Sequence, residues 1–527
     1  MNGQRGRYLT LSYVWGGDQA HKTTSSNITT YEGGIDPSLI PLTIRDAIFV
    51  TNALGFRWLW VDSLCIIQDS DQDKRRELAR MHYIYRYAHL TIIAASAERV
   101  GEGFLQDRSL PPQVNFNEPF SSADLILPFV CPSSSSASAE FSENAVVTRQ
   151  VGEIRIATRQ ISHFAGALWP NRGSDDLEPI STRGWCMQEY LMSPRSLIFT
   201  SKTLQFRCLT TTQNVGNSLR DTVDEWRIPS TLFLPEPPPA EHGSAEWDDV
   251  HGEWLGVLGD YSRRTTSLPS DKLVACGAVA EQFHRVLRSD YLAGVWRDSL
   301  LLDILWCAAQ GEHLYRPATS RAPSWSWAAV EGELSWRAGG PGEMMILDED
   351  VFAKVVRCEV SLEDAALPFG RVTGGSLVLR APLLRCRVHR AGRGPGSRHD
   401  ILLQPDRQPL GSGSNEGVGV DSELSGIAFI DCDVDAEIER AWAVPILPRG
   451  APGYKQWMEG LVVALARPTS VESKSDYGAV TYRRLGYFSF TFESRGILDG
   501  DLDENAHKEL ARALKEGEYP PVDIELV

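Results

Sequence analysis

The sequence lacks the features of secreted and membrane proteins. No run of about 18 apolar residues, the length needed to span a membrane, occurs among its 527 residues. The opening letters, "MNGQRGRYLTLSYVWGG", contain no apolar core followed by a cleavage site of small residues, as a secretory signal would. We therefore expect a cytoplasmic protein with no membrane span.

Basic residues are in deficit. The chain has 52 Lys and Arg against 69 Asp and Glu, which gives a formal net charge of −17, and no basic stripe interrupts this balance along the sequence. Binding to a phosphate backbone depends on concentrated positive charge. We therefore expect no nucleic-acid partner.

Cysteines are scattered and do not pair in recognisable motifs. The nine cysteines form no CxxC pair and have no histidine at metal-ligand spacing. They are typical of reduced, mostly buried thiols. The sequence thus predicts no metal site and no required cofactor, and no repeat of fixed period is present.

The N-terminal part of the sequence predicts alternating strands and helices. Apolar, β-branched runs at "YLTLSYVW", "RWLWVD" and "HLTIIAAS" predict strands, and the segments "LTIRDAIFVTNALGF" and "DQDKRRELARMHYIYRYA" between them have helical periodicity. Alternating strands and helices indicate an α/β domain with a parallel sheet. From about 110 to 180 the pattern gives way to an irregular insert with one hairpin near "AVVTRQVGEIRIATR".

The remaining chain divides by composition. We place the N-terminal domain at 1–215, a Pro-rich connector at 216–246, a helical region at 247–320 and a mostly β domain at 321–527. Gly-rich text at about 391–425 predicts a flexible insert in the last domain.

Several blocks together resemble one family. "LTLSYVWGG", the stretch from "TIRDAIFV" to "TIIAASA", "GFLQDR" and "RGWCMQEYLMSPRSLIF" are similar, in order and spacing, to the fungal heterokaryon incompatibility (HET) domain over about 8–210. The resemblance implies a fungal, intracellular protein of self/non-self recognition and programmed cell death. It implies no known reaction.

The HET domain in turn resembles the Toll/interleukin-1 receptor (TIR) domain, which has a flavodoxin-like parallel sheet. Trp185 and Glu189 match the WxxxE pattern of TIR domains that cleave NAD, in which the glutamate is catalytic. The resemblance therefore implies a TIR-like N-terminal domain that binds a nucleotide, with NAD as a substrate and Glu189 as the catalytic residue.

The chemistry fits such a role. Loss of nicotinamide leaves positive charge on the ribose, which a carboxylate such as Glu189 would stabilise. Trp185, one helical turn away, would provide a stacking wall, and Arg183 could pair with a phosphate or with Glu189. The alternative is structural: Trp185 anchors the core and Glu189 is buried in an ion pair with Arg183 or Arg195.

The loops after the first two predicted strands are a second candidate site, because open α/β sheets bind ligands at the carboxyl ends of their strands. We call these residues the rim: Ser12, Tyr13, Trp15, Gly16, Gly17, Asp18, Asp62 and Ser63. Gly16 and Gly17 could equally form a simple tight turn. Asp62 could bind a ribose hydroxyl or cap the next segment.

Three functions stay open at this point. The first is a cell-death effector that binds and hydrolyses NAD, with self-association. The second is a non-catalytic recognition module that binds a protein partner through its β domain. The third is a secondary-metabolite enzyme that uses the same fold for a small molecule.

Overall fold

The computed structural model describes a large part of the chain in separate stretches. These are 6–106, 125–131, 150–156, 178–215, 228–309, 312–336, 351–390, 398–404, 424–432, 435, 440–449, 457–466, 480–491, 510, 512–514 and 516–527. They fall into two compact units that interleave along the sequence. The first unit lies within Met1–Ser70, Ala88–Ile180 and Pro194–Glu225, and the second within Asp71–Tyr87, Ser181–Ser193 and Trp226–Val527.

The first unit is built on a six-stranded sheet in the order β2-β1-β3-β6-β7-β8. Its strands are β1 (Tyr8–Ser12), β2 (Trp58–Trp60), β3 (Leu90–Ala94), β6 (Arg195–Phe199), β7 (Leu204–Cys208) and β8 (Thr212–Asn214). The neighbouring strands β2, β1, β3 and β6 are parallel to one another. Strand β7 pairs antiparallel with β6, and β8 pairs antiparallel with β7. The predicted α/β layer is thus confirmed, but its sheet is mixed and not purely parallel.

The helices of the first unit are short apart from one. They are α1 (Ile28–Gly33), α2 (Leu42–Ala53) and α3 (Asp62–Cys65). Period-two alternation in β1 directs Leu9 and Leu11 to one face of the sheet, where Ile44 and Ala47 of α2 pack among the same buried cluster. Thr10 and Ser12, at the alternate positions, are also buried.

The described part of the insert contains one hairpin. Strand β5 (Gln150–Ile156) lies where the sequence predicts a hairpin and pairs antiparallel with β4 (Leu125–Cys131), which is upstream of the predicted segment. The hairpin therefore spans a longer stretch of sequence than expected. The rest of the predicted insert, and residues 216–227 of the predicted connector, lie outside the described residues.

The second unit contains the remaining helices. They are α4 (Asp71–Leu78), α5 (Met81–Tyr87), α6 (Gly184–Met192), α7 (Ala245–Ser262), α8 (Val274–Leu287) and α9 (Leu300–Asp303). The segment predicted as one helix is two, α4 and α5. The helical ladder is interrupted at Ala79 and Arg80, and the Arg80 carbonyl accepts the N–H groups of Tyr83 and Ile84 to begin α5.

Small strands accompany these helices. They are β9 (Tyr291–Leu292), β10 (Val295–Trp296), β11 (Trp306–Ala308) and β12 (Leu334–Trp336), which form the two-stranded pairs β9 with β10 and β11 with β12. The turn between β9 and β10 uses positive φ angles at Ala293 and Gly294. A side chain at Gly294 would meet the Trp327 indole at 2.3 Å, so this close approach requires glycine.

The C-terminal part of the second unit is a β domain, as predicted. Its strands are β13 (Lys354–Leu362), β14 (Val372–Ala381), β15 (Leu384–Arg390), β16 (Arg398–Gln404), β17 (Leu424–Ile430), β18 (Ala441–Arg449), β19 (Trp457–Leu465), β20 (Thr481–Thr491) and β21 (Val522–Leu526). Strand β20 pairs with both β17 and β19, which closes a six-stranded barrel of β20, β17, β16, β15, β18 and β19. Ile401, Met458 and Phe488 are fully buried in its core.

The predicted flexible insert at 391–425 lies outside the described residues except for β16 and the start of β17. No helix in the described stretches is long and apolar enough to cross a membrane.

Candidate functional site

The carboxyl ends of β1 and β2 bring the predicted rim residues to one edge of the first unit's sheet. Ser12 is the last residue of β1, and the loop of Tyr13 to Asp18 follows it; Asp62 and Ser63 follow β2 and begin α3. Because β1 and β2 are parallel neighbours, both loops leave the sheet on the same side.

Two side-chain hydrogen bonds join these loops. The Tyr13 hydroxyl donates to Ser63 Oγ at 2.9 Å, and Trp15 Nε1 donates to Asp62 Oδ2 at 2.8 Å. Gln19 extends the network by donating from Nε2 to the Tyr13 hydroxyl at 2.9 Å. Gln19 is absent from the predicted rim, since a lone glutamine in an aperiodic loop carries no pattern in the sequence.

Burial determines the protonation state of the network. Burial and, next, the negative charge of Asp62 raise the pKa of Tyr13 well above its ordinary value. Tyr13 therefore remains a neutral phenol at any physiological pH and keeps its proton to donate to Ser63.

Two polar atoms beside this network have no hydrogen-bond partner among the described residues. Ser12 is 1% exposed and Gln19 is 3% exposed, yet Ser12 Oγ and Gln19 Oε1 are both buried without a partner. Buried polar atoms are nearly always hydrogen-bonded, and an exception indicates a water molecule, an ion or a ligand. A polar group of a water molecule or a ligand at the carboxyl end of β1 would supply hydrogen-bond partners for these two atoms.

The loop between these atoms is shaped by glycine. Gly16 has φ +72°, and a Cβ there would lie 2.4 Å from Arg99 Cγ and 2.7 Å from Arg99 Cα. Gly17 has φ +144° with open space around it. Gly16 is thus fixed by close packing as well as by backbone conformation, whereas Gly17 is fixed by conformation alone.

Asp18 and Asp62, the two carboxylates of the rim, differ in setting. Asp18 has a side chain that is 82% exposed and pairs with Lys22, and the hydrogen bond and charge of Lys22 lower the pKa of Asp18. Asp62 is half-buried and accepts from the backbone N–H of Ser63 at 2.6 Å as well as from Trp15. Asp62 thus bonds both to the segment that follows β2, through Ser63, and to the loop that follows β1, through Trp15.

The WxxxE residues lie in the second unit, on α6. Glu189 is buried, with 6% exposure, and Trp185 is half-buried. The Glu189 carbonyl accepts from Ser193 Oγ at 2.7 Å, which satisfies one of the carbonyls at the end of the helix. Within the second unit α6 packs against α5 and α8.

The two arginines near this motif bind elsewhere. Arg183, just before α6, donates to Ser267 Oγ at 2.9 Å, and Gly184 N–H donates to the Thr265 carbonyl at 2.8 Å. Arg195, in the first unit, is exposed and donates to the His89 carbonyl at 3.2 Å. The rim residues therefore come together in the first unit, whereas Arg183, Trp185 and Glu189 belong to the second unit.

A buried histidine accompanies α6 in the second unit. His82 of α5 is 3% exposed, and its Nε2 lies 3.6 Å from Glu281 Oε2. Burial and the positive charge of Arg86 lower the pKa of His82 to about 4. Among the described residues, no group of three or more His, Cys, Asp or Glu side chains could hold a metal ion.

The comparisons with known proteins give one match. Residues 8–189 match the family model of the heterokaryon incompatibility protein (HET). This stretch begins at β1 and ends on Glu189, so it includes both the rim and the WxxxE residues. Neither a curated protein nor a solved structure matches the chain.

Proposed function

We propose, from the match of residues 8–189 to the heterokaryon incompatibility family model, that the chain acts in self/non-self recognition by binding a nucleotide such as NAD at the rim. The observation that supports this most is the pair of buried, partnerless atoms, Ser12 Oγ and Gln19 Oε1, beside the Tyr13 network. A ribose hydroxyl or an amide of a bound nucleotide could supply the hydrogen-bond partners that these two atoms lack.

The strand order supports the same site. The order β2-β1-β3-β6 follows that of a flavodoxin-like sheet, in which the chain reverses direction of strand addition between β1 and β3. Ligands of such sheets bind outside the carboxyl ends of the strands at this reversal. Ser12 and Tyr13 lie at that point.

Calorimetric titration of the full chain with NAD, ADP-ribose and AMP tests the binding. We expect saturable binding of at least one of the three, and weakening by about tenfold or more in Asp62→Asn, because the rim loops lose a charged hydrogen-bond acceptor. Asp36→Asn, at an exposed loop aspartate of the first unit, is the matched control and should bind normally. No binding of any of the three nucleotides would contradict the proposal.

Catalysis is a separate step of the proposal, and it rests on the family resemblance. Glu189 would stabilise the positive ribose as nicotinamide leaves. Nicotinamide release from NAD should then fall by about a hundredfold in Glu189→Gln, as for loss of one stabilising charged group. Glu32→Gln, at an exposed glutamate of α1, should release nicotinamide at the wild-type rate. Release that Glu189→Gln leaves unchanged would exclude Glu189 as the catalyst.

The burial of Glu189 favours a second candidate, a non-catalytic recognition module. A carboxylate with 6% exposure inside α6 suits a structural role, since a catalyst has to face substrate. This candidate predicts no nicotinamide release by the wild-type chain and a lowered melting temperature in Glu189→Gln. Turnover together with an unchanged melting temperature in the variant would reject it.

A further inference from the structure

The helices α4 and α5 present an exposed surface of unusual composition for so acidic a chain. Four residues spaced four, three and four apart are all exposed, and we call them the α4–α5 stripe: Arg76, Arg80, Tyr83 and Tyr87. Tyr83 is 44% exposed and Tyr87 is 69% exposed, and their rings stack with centroids 6.1 Å apart.

Such a stripe has the composition of a protein-binding surface. Tyrosine and arginine are enriched at interfaces, where tyrosine buries a large ring at little entropic cost and arginine binds carboxylates in a bidentate manner. The two exposed, stacked tyrosine rings leave apolar surface in contact with water, and a bound partner would cover that surface. The flanking guanidinium groups indicate that the occupant is acidic.

The same unit carries an acidic surface. On α7, Glu246 and Asp249 are exposed and Glu253 is partly exposed, and their spacing of three and four places them on one helical face. We call these three residues the acidic α7 face. Burial and the charge of Asp249 raise the pKa of Glu253, so the two carboxylates repel each other and a neighbouring cation would relieve that repulsion.

The two surfaces fit each other in sign. Arg76 lies on α4 and Arg80 immediately before α5, on the two sides of the break, and both side chains are exposed. Their guanidinium groups could therefore meet the carboxylates of Asp249 and Glu253 on α7.

We propose that the α4–α5 stripe of one copy binds the acidic α7 face of a second copy of this chain. The contact is head-to-tail, because the two surfaces differ and every copy carries both. Contacts of this kind build rings or open chains and do not stop at a symmetric dimer. Assembly would therefore grow with protein concentration and dissolve in salt, which screens the ion pairs.

Light scattering coupled to gel filtration of the full chain tests this. The wild-type mass should rise with concentration at low salt and fall to that of one chain at high salt. Arg76→Gln/Arg80→Gln and Asp249→Asn/Glu253→Gln should each weaken association by about tenfold or more. Mixing the two variants leaves one intact pair of surfaces, so the mixture should form a one-to-one dimer and stop there.

Two further variants separate the contact from general charge effects. Tyr83→Ala/Tyr87→Ala should also abolish growth, whereas Arg45→Gln, at an exposed arginine of α2, should assemble like wild type. Circular dichroism melting identifies any variant that is unfolded. A wild-type chain that stays monomeric at every concentration, or a variant mixture that forms no dimer, overturns the proposal.

Discussion

Two combinations of a tryptophan and a carboxylate, Trp15 with Asp62 and Trp185 with Glu189, differ in where they lie and in what joins them. Trp15 and Asp62 are 47 residues apart in sequence, lie on two loops of the first unit and are joined by a hydrogen bond of 2.8 Å. Trp185 and Glu189 are one turn apart on α6 of the second unit, where Glu189 is buried.

The difference separates motif from environment. The pair that resembles a family motif lies in one buried helix, whereas the pair without a motif joins two segments that follow the carboxyl ends of parallel strands. A short pattern such as WxxxE records spacing along one helix and says nothing of what surrounds it. The contacts around each carboxylate are what distinguish a ligand site from a structural helix.

The largest effect that would break the rim is expected at Gly16. Gly16→Ala forces a positive φ on alanine and places its Cβ against Arg99, so we expect a loss of about 3 kcal/mol in unfolding free energy. Gly17→Ala is the control with open space around it, meets backbone strain alone, and should lose about 2 kcal/mol. Urea denaturation of both variants measures the two losses. Equal losses would show that Arg99 does not constrain the loop.

Acid should distinguish the second unit from the first through His82. The unfolded chain protonates this histidine near its ordinary value of 6.5, the folded chain only near 4, so the folded state is intact above about 6.5 and loses stability as pH falls towards 4. The pKa difference corresponds to at most about 3 kcal/mol. Arg86 adds to the loss, and Glu281, which faces the ring, opposes it.

Urea midpoints between pH about 7 and about 5 measure this dependence. His82→Gln should flatten the curve, because it removes the titrating group. A wild-type slope that survives His82→Gln would assign the acid sensitivity to other groups.

Loss of the hydrogen bond from Trp15 to Asp62 should lower the unfolding free energy by less than the changes expected at Gly16 and His82. Trp15→Phe keeps an aromatic ring but removes the indole N–H that donates to the Asp62 carboxylate. We expect the unfolding free energy to fall by about 2 kcal/mol. A double-mutant cycle with Asp62→Ala isolates the coupling between the two side chains, since both single changes remove the same bond. Strictly additive losses would mean that the two loops are held together by other contacts.

Two serines of the rim give the smallest and sharpest contrast. Ser63→Ala leaves the buried Tyr13 hydroxyl without its acceptor and should cost about 1 kcal/mol. Ser12→Ala removes an oxygen that has no hydrogen-bond partner among the described residues. The unfolding free energy from thermal melting should therefore change by less than about 0.5 kcal/mol. With a ligand bound, Ser12→Ala should become the more damaging of the two. A large effect of Ser12→Ala without ligand would show that its oxygen is already satisfied.

Much of the fold could be predicted because local patterns carry it. Alternation in β1 and the helical period of α2 determine which faces are apolar, and burial of those faces follows. The break at Ala79 and Arg80 was beyond such reasoning, since the residues on both sides of it are good helix formers. Closure of the barrel was also hidden, because the pairing of β20 with β17 and β19 depends on contacts distant in sequence.

The candidate site was predictable only in outline. The rule that ligands bind at the carboxyl ends of strands led to Tyr13 and Asp62, whose loops do meet. It could not identify Gln19, which joins the network through a loop of no regular pattern. Nor could it show that Glu189 is buried, since burial depends on α5 and α8, which are far from it in sequence.

Closure of the barrel by β20 also bears on how the protein is made. The last strand of the first unit's sheet ends at Asn214, so that sheet can pair completely while more than half of the chain is still being synthesised. The barrel has to wait for Thr481–Thr491, because until then β17 and β19 each lack a neighbour. From the synthesis of β19 until that of β20, two apolar strands present unpaired edges, which are sites at which another chain can pair and aggregate.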